Sequence, residues 1–452
     1  MRTDEKRGLS RRALLGAAAA APLVARAAGP RPNIVLMMAD DLGYECIGAN
    51  GGTSYKTPQI DRLAASGVRF TNAYAQPLCT PTRVQLMTGQ YNFRNWQAFG
   101  IMHPQERTFG HMMQRAGYRT CIVGKWQLYS YDDAGARRGI GMPPEKAGFD
   151  EYSLWHAGHT EEKGSRYAEP VILENGALRK DTKGKYGPDL FSEYLFRFME
   201  KDKQRPFFAY YAMPLTHGPY NPTPHSADWA GGDRLRGSNR YFPDMVEYLD
   251  FEIGRIVRRI DEMGLGRNTL VLYFSDNGTG PGLKSRMGDR VVEGGKTLTT
   301  DAGMHVPMIA RWTGVTKPGA VTDELVDSTD FLPTIAEAAG TKWFADAPLD
   351  GRSFLPQVRG SNQKRRDWLF AHYDPHPGCK TNIPATRLAW DHHWKLYMDG
   401  RLFNLDKDIT EKSPIAPGAG GREAEAARRK LQGVLDQMAR VKAPVFNPFS
   451  PG

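Results

Sequence analysis

Five short runs of apolar and β-branched residues recur along the chain, at 33–39, 119–123, 207–212, 270–274 and 306–310. They are near-continuously hydrophobic, the pattern of strands buried on both faces in a parallel sheet flanked by helices. Between them the period changes. Residues 57–64 open with Thr-Pro, a helix start, and 109–116 carry Phe109, Met112, Met113 and Ala116 at helical spacing. Residues 245–263 place Met245, Val246, Leu249, Ile253, Ile256, Val257 and Ile260 on one stripe that stops at Gly264. Strands alternating with helices predict an α/β fold, a doubly wound mixed sheet with helices on both sides. The Gly-, Pro- and polar-rich stretches 133–148 and 216–241 read as long loops. Near 360–366 the composition turns charged, and a boundary is placed at 360/361. Beyond it, 386–390, 394–398 and 401–404 read as antiparallel strands with turns at Asp391-His392 and Asp399-Gly400. A last amphipathic helix over 423–441 carries Leu431, Val434, Leu435 and Met438. Residues 361–452 are thus expected to form a small α+β domain.

Composition narrows the class. The chain has 452 residues, 40% hydrophobic and 24% charged, which excludes an intrinsically disordered chain and a disulfide-dense miniprotein. With only Cys46, Cys79, Cys121 and Cys379, a core of this size needs no disulfide staples. Residues 1–28 run from a basic segment ending in Ser10-Arg11-Arg12, through the apolar stretch 13–24, to Ala25-Arg26-Ala27-Ala28. That order is a secretory signal peptide, too short to span a bilayer, and the arginine pair points to the twin-arginine route. The expected mature protein, from residue 29, is soluble and periplasmic or secreted. The signal carries six Lys/Arg against two Asp/Glu, so +6 of the net +10 remains after its removal. A positive surplus favours anionic partners. Basic residues are scattered, with no zinc-finger or RNP-type motif, so nucleic acid is not an expected partner, and no membrane span is expected.

The chemistry collects at strand ends. The first strand ends in Asp40-Asp41, and the run 270–274 leads into Ser275-Asp276-Asn277-Gly278. Open α/β sheets bind ligands beyond the carboxyl ends of their strands. Three carboxylates and an amide oxygen placed together repel unless a cation joins them, and an all-oxygen set suits Ca²⁺ or Mg²⁺, not zinc. The alternative is that each group caps the helix after it.

The segment Pro77-Leu78-Cys79-Thr80-Pro81-Thr82-Arg83-Val84-Gln85-Leu86-Met87-Thr88-Gly89 sharpens the picture. Pro81 fits a first helical turn, which places residue 79 at a helix N-terminus, an anion-favouring position. Cys-x-Pro-Thr-Arg followed by Leu-x-Thr-Gly resembles the signature of the formylglycine-dependent sulfatases, of arylsulfatase type in the alkaline phosphatase-like superfamily. The similarity continues through Thr57-Pro58-Gln59-Ile60-Asp61-Arg62-Leu63-Ala64, Gly67-Val68-Arg69-Phe70, Gly124-Lys125-Trp126, Val246-Glu247-Tyr248-Leu249-Asp250, Asn268-Thr269-Leu270 and Ser275-Asp276-Asn277-Gly278. It covers nearly all of 32–450 and makes 29–360 the catalytic domain.

The resemblance implies that a formylglycine-generating enzyme oxidises Cys79 to formylglycine. A hydroxyl of the hydrated aldehyde would meet the cation and attack sulfur. Asp40, Asp41, Asp276 and Asn277 match the metal ligands, with residue 79. Arg83, one turn into the helix, is placed to fix the hydrated aldehyde and balance the carboxylates, Lys125 and Lys296 match sulfate-binding lysines, and His217 matches a histidine that assists the leaving oxygen. One position departs. Many sulfatases read Gly-Lys-Trp-His where this chain has Gln127, and glutamine cannot accept the second hydroxyl proton. His156 and His159, in the loop 152–159, are the candidates to replace it, or turnover is slow. The implied function is hydrolysis of sulfate esters, with sulfated carbohydrate favoured by export, charge and long loops. Trp126, Trp155 and Tyr220 are candidates for stacking on sugar rings or for packing. Two alternatives stand: a phosphonate or phosphate ester hydrolase using the same formylglycine, and an inactive sulfated-glycan-binding relative.

Overall fold

Strand β1 (Asn33–Ala39) is buried at every position, and its alternate side chains feed two different cores. In the computed structural model, which describes residues 31–131, 135–158, 161–361 and 365–441, Ile34, Leu36 and Met38 face one core and Val35, Met37 and Ala39 the other. This is a strand with helices on both sides of it. The expected signal at 1–28 and His159 lie outside the described residues.

Around β1 lies a ten-stranded sheet. It contains β2 (Val68–Tyr74), β3 (Arg119–Lys125), β4 (Glu151–Trp155), β5 (Leu173–Glu174), β6 (Ala177–Leu178), β7 (Phe207–Ala212) and β8 (Thr269–Ser275). After the separate hairpin β9 (Lys284–Met287) and β10 (Arg290–Glu293) come β11 (Met308–Trp312) and β12 (Ala320–Asp327). The order is β12-β2-β11-β8-β1-β7-β3-β4-β5-β6. The central strands β8, β1, β7, β3 and β4 run parallel, and β11 is antiparallel to β8 and β2. The sheet is therefore mixed, as expected. Helices α1 (Pro58–Ser66), α4 (Gly187–Lys201) and α5 (Phe242–Glu262) cover one face. On the other lie α2 (Cys79–Thr88), α3 (Phe109–Arg115), α7 (Phe331–Ala338) and α8 (Leu355–Val358), with the one-turn α6 (Asp301–Met304) in the connection before β11.

The apolar runs land where the hydrophobic pattern puts them, with small shifts. The run at 306–310 becomes a strand only from Met308, because Pro307 has no N–H to give the ladder. The stripe at 245–263 begins three residues earlier, at Phe242, with Pro243 in the first turn.

The C-terminal part is a four-stranded antiparallel sheet, β13 (Leu369–Tyr373), β14 (Thr386–Trp390), β15 (Trp394–Tyr397) and β16 (Leu402–Asn404). Its outer face packs on α9 (Gly421–Arg440) through Leu431, Val434, Leu435 and Met438. The opposite face, with Leu369, Leu388, Trp390 and Phe403, packs on Tyr74 and Met304. Arg366 ties this part down by pairing with Asp327 at 3.2 Å and with Asp330. The described residues from Arg31 onward form one compact unit. No helix among them is long and apolar enough to cross a membrane.

Candidate active site

The register of β1 on β8 sets Ala39 opposite Ser275, so Asp40 and Asp276 leave the sheet side by side. Asp41 then turns with φ +65°, a left-handed conformation that Asp tolerates better than most residues. The turn lets its amide donate to Asp276 Oδ1 at 2.9 Å, and Asn277 Nδ2 donates to Asp41 Oδ1 at 2.8 Å. All four side chains are buried. Two of their acceptors, Asp276 Oδ2 and Asn277 Oδ1, have no hydrogen-bond partner. Buried oxygens without donors are costly unless something positive meets them. Burial, reinforced by the charges of Asp40, residue 79 and Asp41, pushes the Asp276 carboxyl well above its usual range. An all-oxygen cluster with orphaned acceptors fits a hard divalent cation.

Cys79 is the first residue of α2, every residue of which is buried. Its Sγ lies within 4.8 Å of a carboxylate oxygen from each of Asp40 and Asp276. The helix is clamped to the loop after β8 by Thr82, whose Oγ1 donates to the Asp276 carbonyl at 2.6 Å. Arg83 donates through Nη2 to the Lys125 carbonyl at 2.6 Å and through Nη1 to the Trp126 carbonyl. Both terminal nitrogens thereby brace the end of β3.

Lysines close the cluster. Lys125 Nζ reaches both oxygens of Asp40, at 2.9 and 3.1 Å. Lys296 Nζ donates to Asp41 Oδ2 at 2.6 Å. Its loop is pinned by Lys296 N on the Thr279 carbonyl and by Thr297 N on the Pro77 carbonyl. Burial works to lower the Lys296 pKa, but Asp41, residue 79 and Asp40 outweigh it, so the ammonium is held charged. His217, a quarter exposed, has Nε2 3.8 Å from Asp41 Oδ2, and its Nδ1 donates to the Gly218 carbonyl at 2.5 Å. Burial first, then Lys296, depress its pKa well below that of a free histidine. Asp40, Asp41, Asp276, Asn277, Cys79, Lys125, His217 and Lys296 thus meet at one place.

The sulfatase family model matches residues 32–341. The chain belongs to the sulfatase family. A second model, N-sulphoglucosamine sulphohydrolase, C-terminal, matches residues 295–432. Arylsulfatase A of Homo sapiens is 33% identical over 402 residues, spanning 84% of this chain and 76% of its own length. N-acetylgalactosamine-6-sulfatase of Mus musculus is 30% identical, spanning 86% of this chain and 78% of its own. The fold also matches a protein solved in complex with its substrate D-glucosamine-2-N,6-O-disulfate, at a TM-score of 0.73 and 21% identity, over 91% of this chain and 98% of that one. The protein is a sulfuric ester hydrolase.

In this sulfatase the ends of β3 and β4 continue as a paired bend. Trp126 N donates to the Trp155 carbonyl and Gln127 N to the His156 carbonyl, each at 3.0 Å, with Gln127 and His156 both at positive φ. His156 is buried, and its Nδ1 has no partner. Burial, with Lys163, Arg166 and Lys125 around it, pushes its pKa down to about 3, so the ring is neutral. Trp126 and Trp155 are buried too, with their indole N–H groups on the carbonyls of Met142 and Gly164. They are packing residues and cannot stack on a sugar. Tyr220 remains partly exposed and meets Phe242 edge-on.

One residue of the site carries no motif in the sequence. Arg166 Nη1 lies 3.4 Å from Asp40 Oδ2, and its guanidinium stacks 3.8 Å above the centre of the Trp155 ring. Only the fold, which closes 126 residues between Arg166 and Asp40, reveals it.

Proposed function

We propose that this sulfatase removes sulfate from sulfated carbohydrates, with residue 79 acting as formylglycine. The observation that carries the reading is Cys79 at the N-terminus of a buried helix, within 4.8 Å of Asp40 and Asp276 carboxylate oxygens, in a cluster with orphaned acceptors. Asp40, Asp41, Asp276 and Asn277 would hold Ca²⁺, or Mg²⁺, which when bound acidifies and orients a nearby hydroxyl. Formylglycine supplies that hydroxyl as its hydrate, a hard oxygen in place of a soft thiol.

The chain's other residues have the following parts. Lys125 and Lys296 grip the sulfate oxygens and offset the charge that builds as the S–O bond to the alcohol breaks. His217 gives a proton to the departing alcohol oxygen, and the incoming sulfate group opposes the lysines' effect on its ring. Arg83 keeps Lys125 in place from behind. Gln127 orients and does not accept a proton. His156, with Nδ1 unpartnered, takes the proton that must leave for sulfate to depart, once the bound sulfate offsets the cations that depress its ring. The likeness to N-acetylgalactosamine-6-sulfatase and to a protein bound to D-glucosamine-2-N,6-O-disulfate favours a sulfated sugar. Residues 1–28 act as an export signal, and the enzyme works in the periplasm or outside the cell.

The test is inorganic sulfate release from a panel of sulfated glycan fragments. The protein is produced with a formylglycine-generating enzyme, supplied with Ca²⁺, and run beside Cys79→Ala. Release that vanishes in the variant is the expected result. Release retained in Cys79→Ala overturns the nucleophile, and phosphonate ester turnover without sulfate release overturns the substrate class. Glycan binding with no release of either kind, from protein whose peptide mass at residue 79 is that of formylglycine, makes it a binding protein.

A further inference from the structure

We propose that Arg166 is a third cation for the substrate sulfate, acting beside Lys125 and Lys296. The inference rests on the reading of the site given above.

Two observations carry it. First, Arg166 is buried, yet its contact with Asp40 is a single long one at 3.4 Å, where charge-assisted N–H···O bonds run at about 2.7–2.9 Å. Asp40 is already bonded through both oxygens to Lys125. Asp40 is therefore not an arginine-binding carboxylate, and the guanidinium has donors to spare for another acceptor. Second, the guanidinium is fixed before any ligand arrives. It lies flat on Trp155 at 3.8 Å. Its backbone is held by α4, where a Cβ on Gly187 would come within 2.1 Å of the Arg166 carbonyl. The next residue, Tyr167, donates its hydroxyl to the carbonyls of Pro214 and His217. Arg166 and the His217 loop are thus parts of one rigid frame. A planar fork also suits a tetrahedral oxyanion in a way that a point charge does not.

The test uses the mature, Ca²⁺-supplied enzyme and two variants, Arg166→Gln and Arg166→Lys. Calorimetry reads the affinity for inorganic sulfate and, separately, for Ca²⁺, and steady-state kinetics reads KM and kcat. In Arg166→Gln, sulfate affinity should fall and KM should rise at least about tenfold. Ca²⁺ affinity should stay the same or tighten, since a positive charge beside a metal ligand has gone. Arg166→Lys should recover part of the sulfate affinity. Unchanged sulfate affinity with weakened Ca²⁺ binding would overturn the proposal, because Arg166 would then only position Asp40. If Arg166→Gln melts at the temperature of the growth medium, Arg166→Lys decides alone, and wild-type sulfate affinity in it counts against the proposal. A wild-type protein that releases no sulfate from any ester, yet loses sulfate affinity in Arg166→Gln, defeats the reaction assigned above while leaving Arg166 as an oxyanion ligand.

Discussion

The amide of Asp41 donates to Oδ1 of Asp276 at 2.9 Å, across 235 residues of chain. One oxygen of Asp276 therefore braces the loop after β1, and the other, without a partner, faces the cluster. The two jobs separate by substitution. Asp276→Asn keeps an acceptor for the Asp41 amide and should fold normally while losing Ca²⁺ affinity by roughly 100-fold. Asp276→Ala should lose the ion as well and orphan a buried amide, at a cost of about 1–3 kcal/mol. Calorimetric Ca²⁺ titration and thermal melting read the two effects. Equal melting of the two variants in EDTA would contradict the division.

Gly124 precedes Lys125 at φ +95°, and a Cβ there would stand 2.0 Å from the Ala212 carbonyl. Both the conformation and the space require glycine. Gly124→Ala should prise β3 from β7, destabilise the protein by more than about 2 kcal/mol and displace Lys125. Activity should fall further than the melting temperature explains. A variant with wild-type melting and turnover would show that the strand end yields freely.

If His156 takes the second proton, its loss should not block the first half of the reaction. His156→Gln should release about one equivalent of alcohol per enzyme and then slow, with steady turnover down roughly 10²-fold. Rapid-quench measurement on a chromogenic sulfate ester reads the burst. Loss of burst and turnover together would instead place His156 in binding, and unchanged steady turnover would remove it from the reaction.

The central strands were legible because both faces of each are buried, so no polar alternation interrupts them. The loops that carry the acidic cluster were legible for the same reason, since Asp40 and Asp276 stand where those runs stop. Strand β2 was not, because Arg69, Thr71 and Asn72 are only partly covered and break the apolar run. The two-residue strands β5 and β6 are too short to carry a period. Helix α4 has an amphipathic stripe through Leu190, Tyr194, Leu195 and Phe198, but it starts at Gly-Pro with no side-chain cap, so its opening reads as a turn. Arg166 could not be found in sequence at all. Its place depends on Trp155 beneath it and Gly187 behind it, neither of which marks an arginine as special.

Glu106 offers a pH test away from the site. It is buried, accepts from Gln90 Nε2 at 3.3 Å, and burial raises its pKa from 4.5 to about 8. The folded protein keeps this proton where the unfolded chain would lose it. Its contribution to stability is therefore complete below about pH 4.5 and is lost as pH rises through about 8. The melting temperature should decline between pH 6 and 8.5, and Glu106→Gln, neutral throughout, should flatten that decline. An identical slope in the variant would refute the assignment.

Cys79 is 1% exposed, and all nine residues that follow it in α2 are buried with it. That burial has a consequence for timing. On the proposed function, an enzyme that converts residue 79 has to reach a side chain that the finished fold covers. Such a conversion would belong to the nascent or unfolded chain, in competition with folding itself. A chain that closes β1 against β8 too early seals an unconverted thiol inside. Slow folding before that closure would then favour active protein, and the fraction converted would record the outcome of a race between two rates.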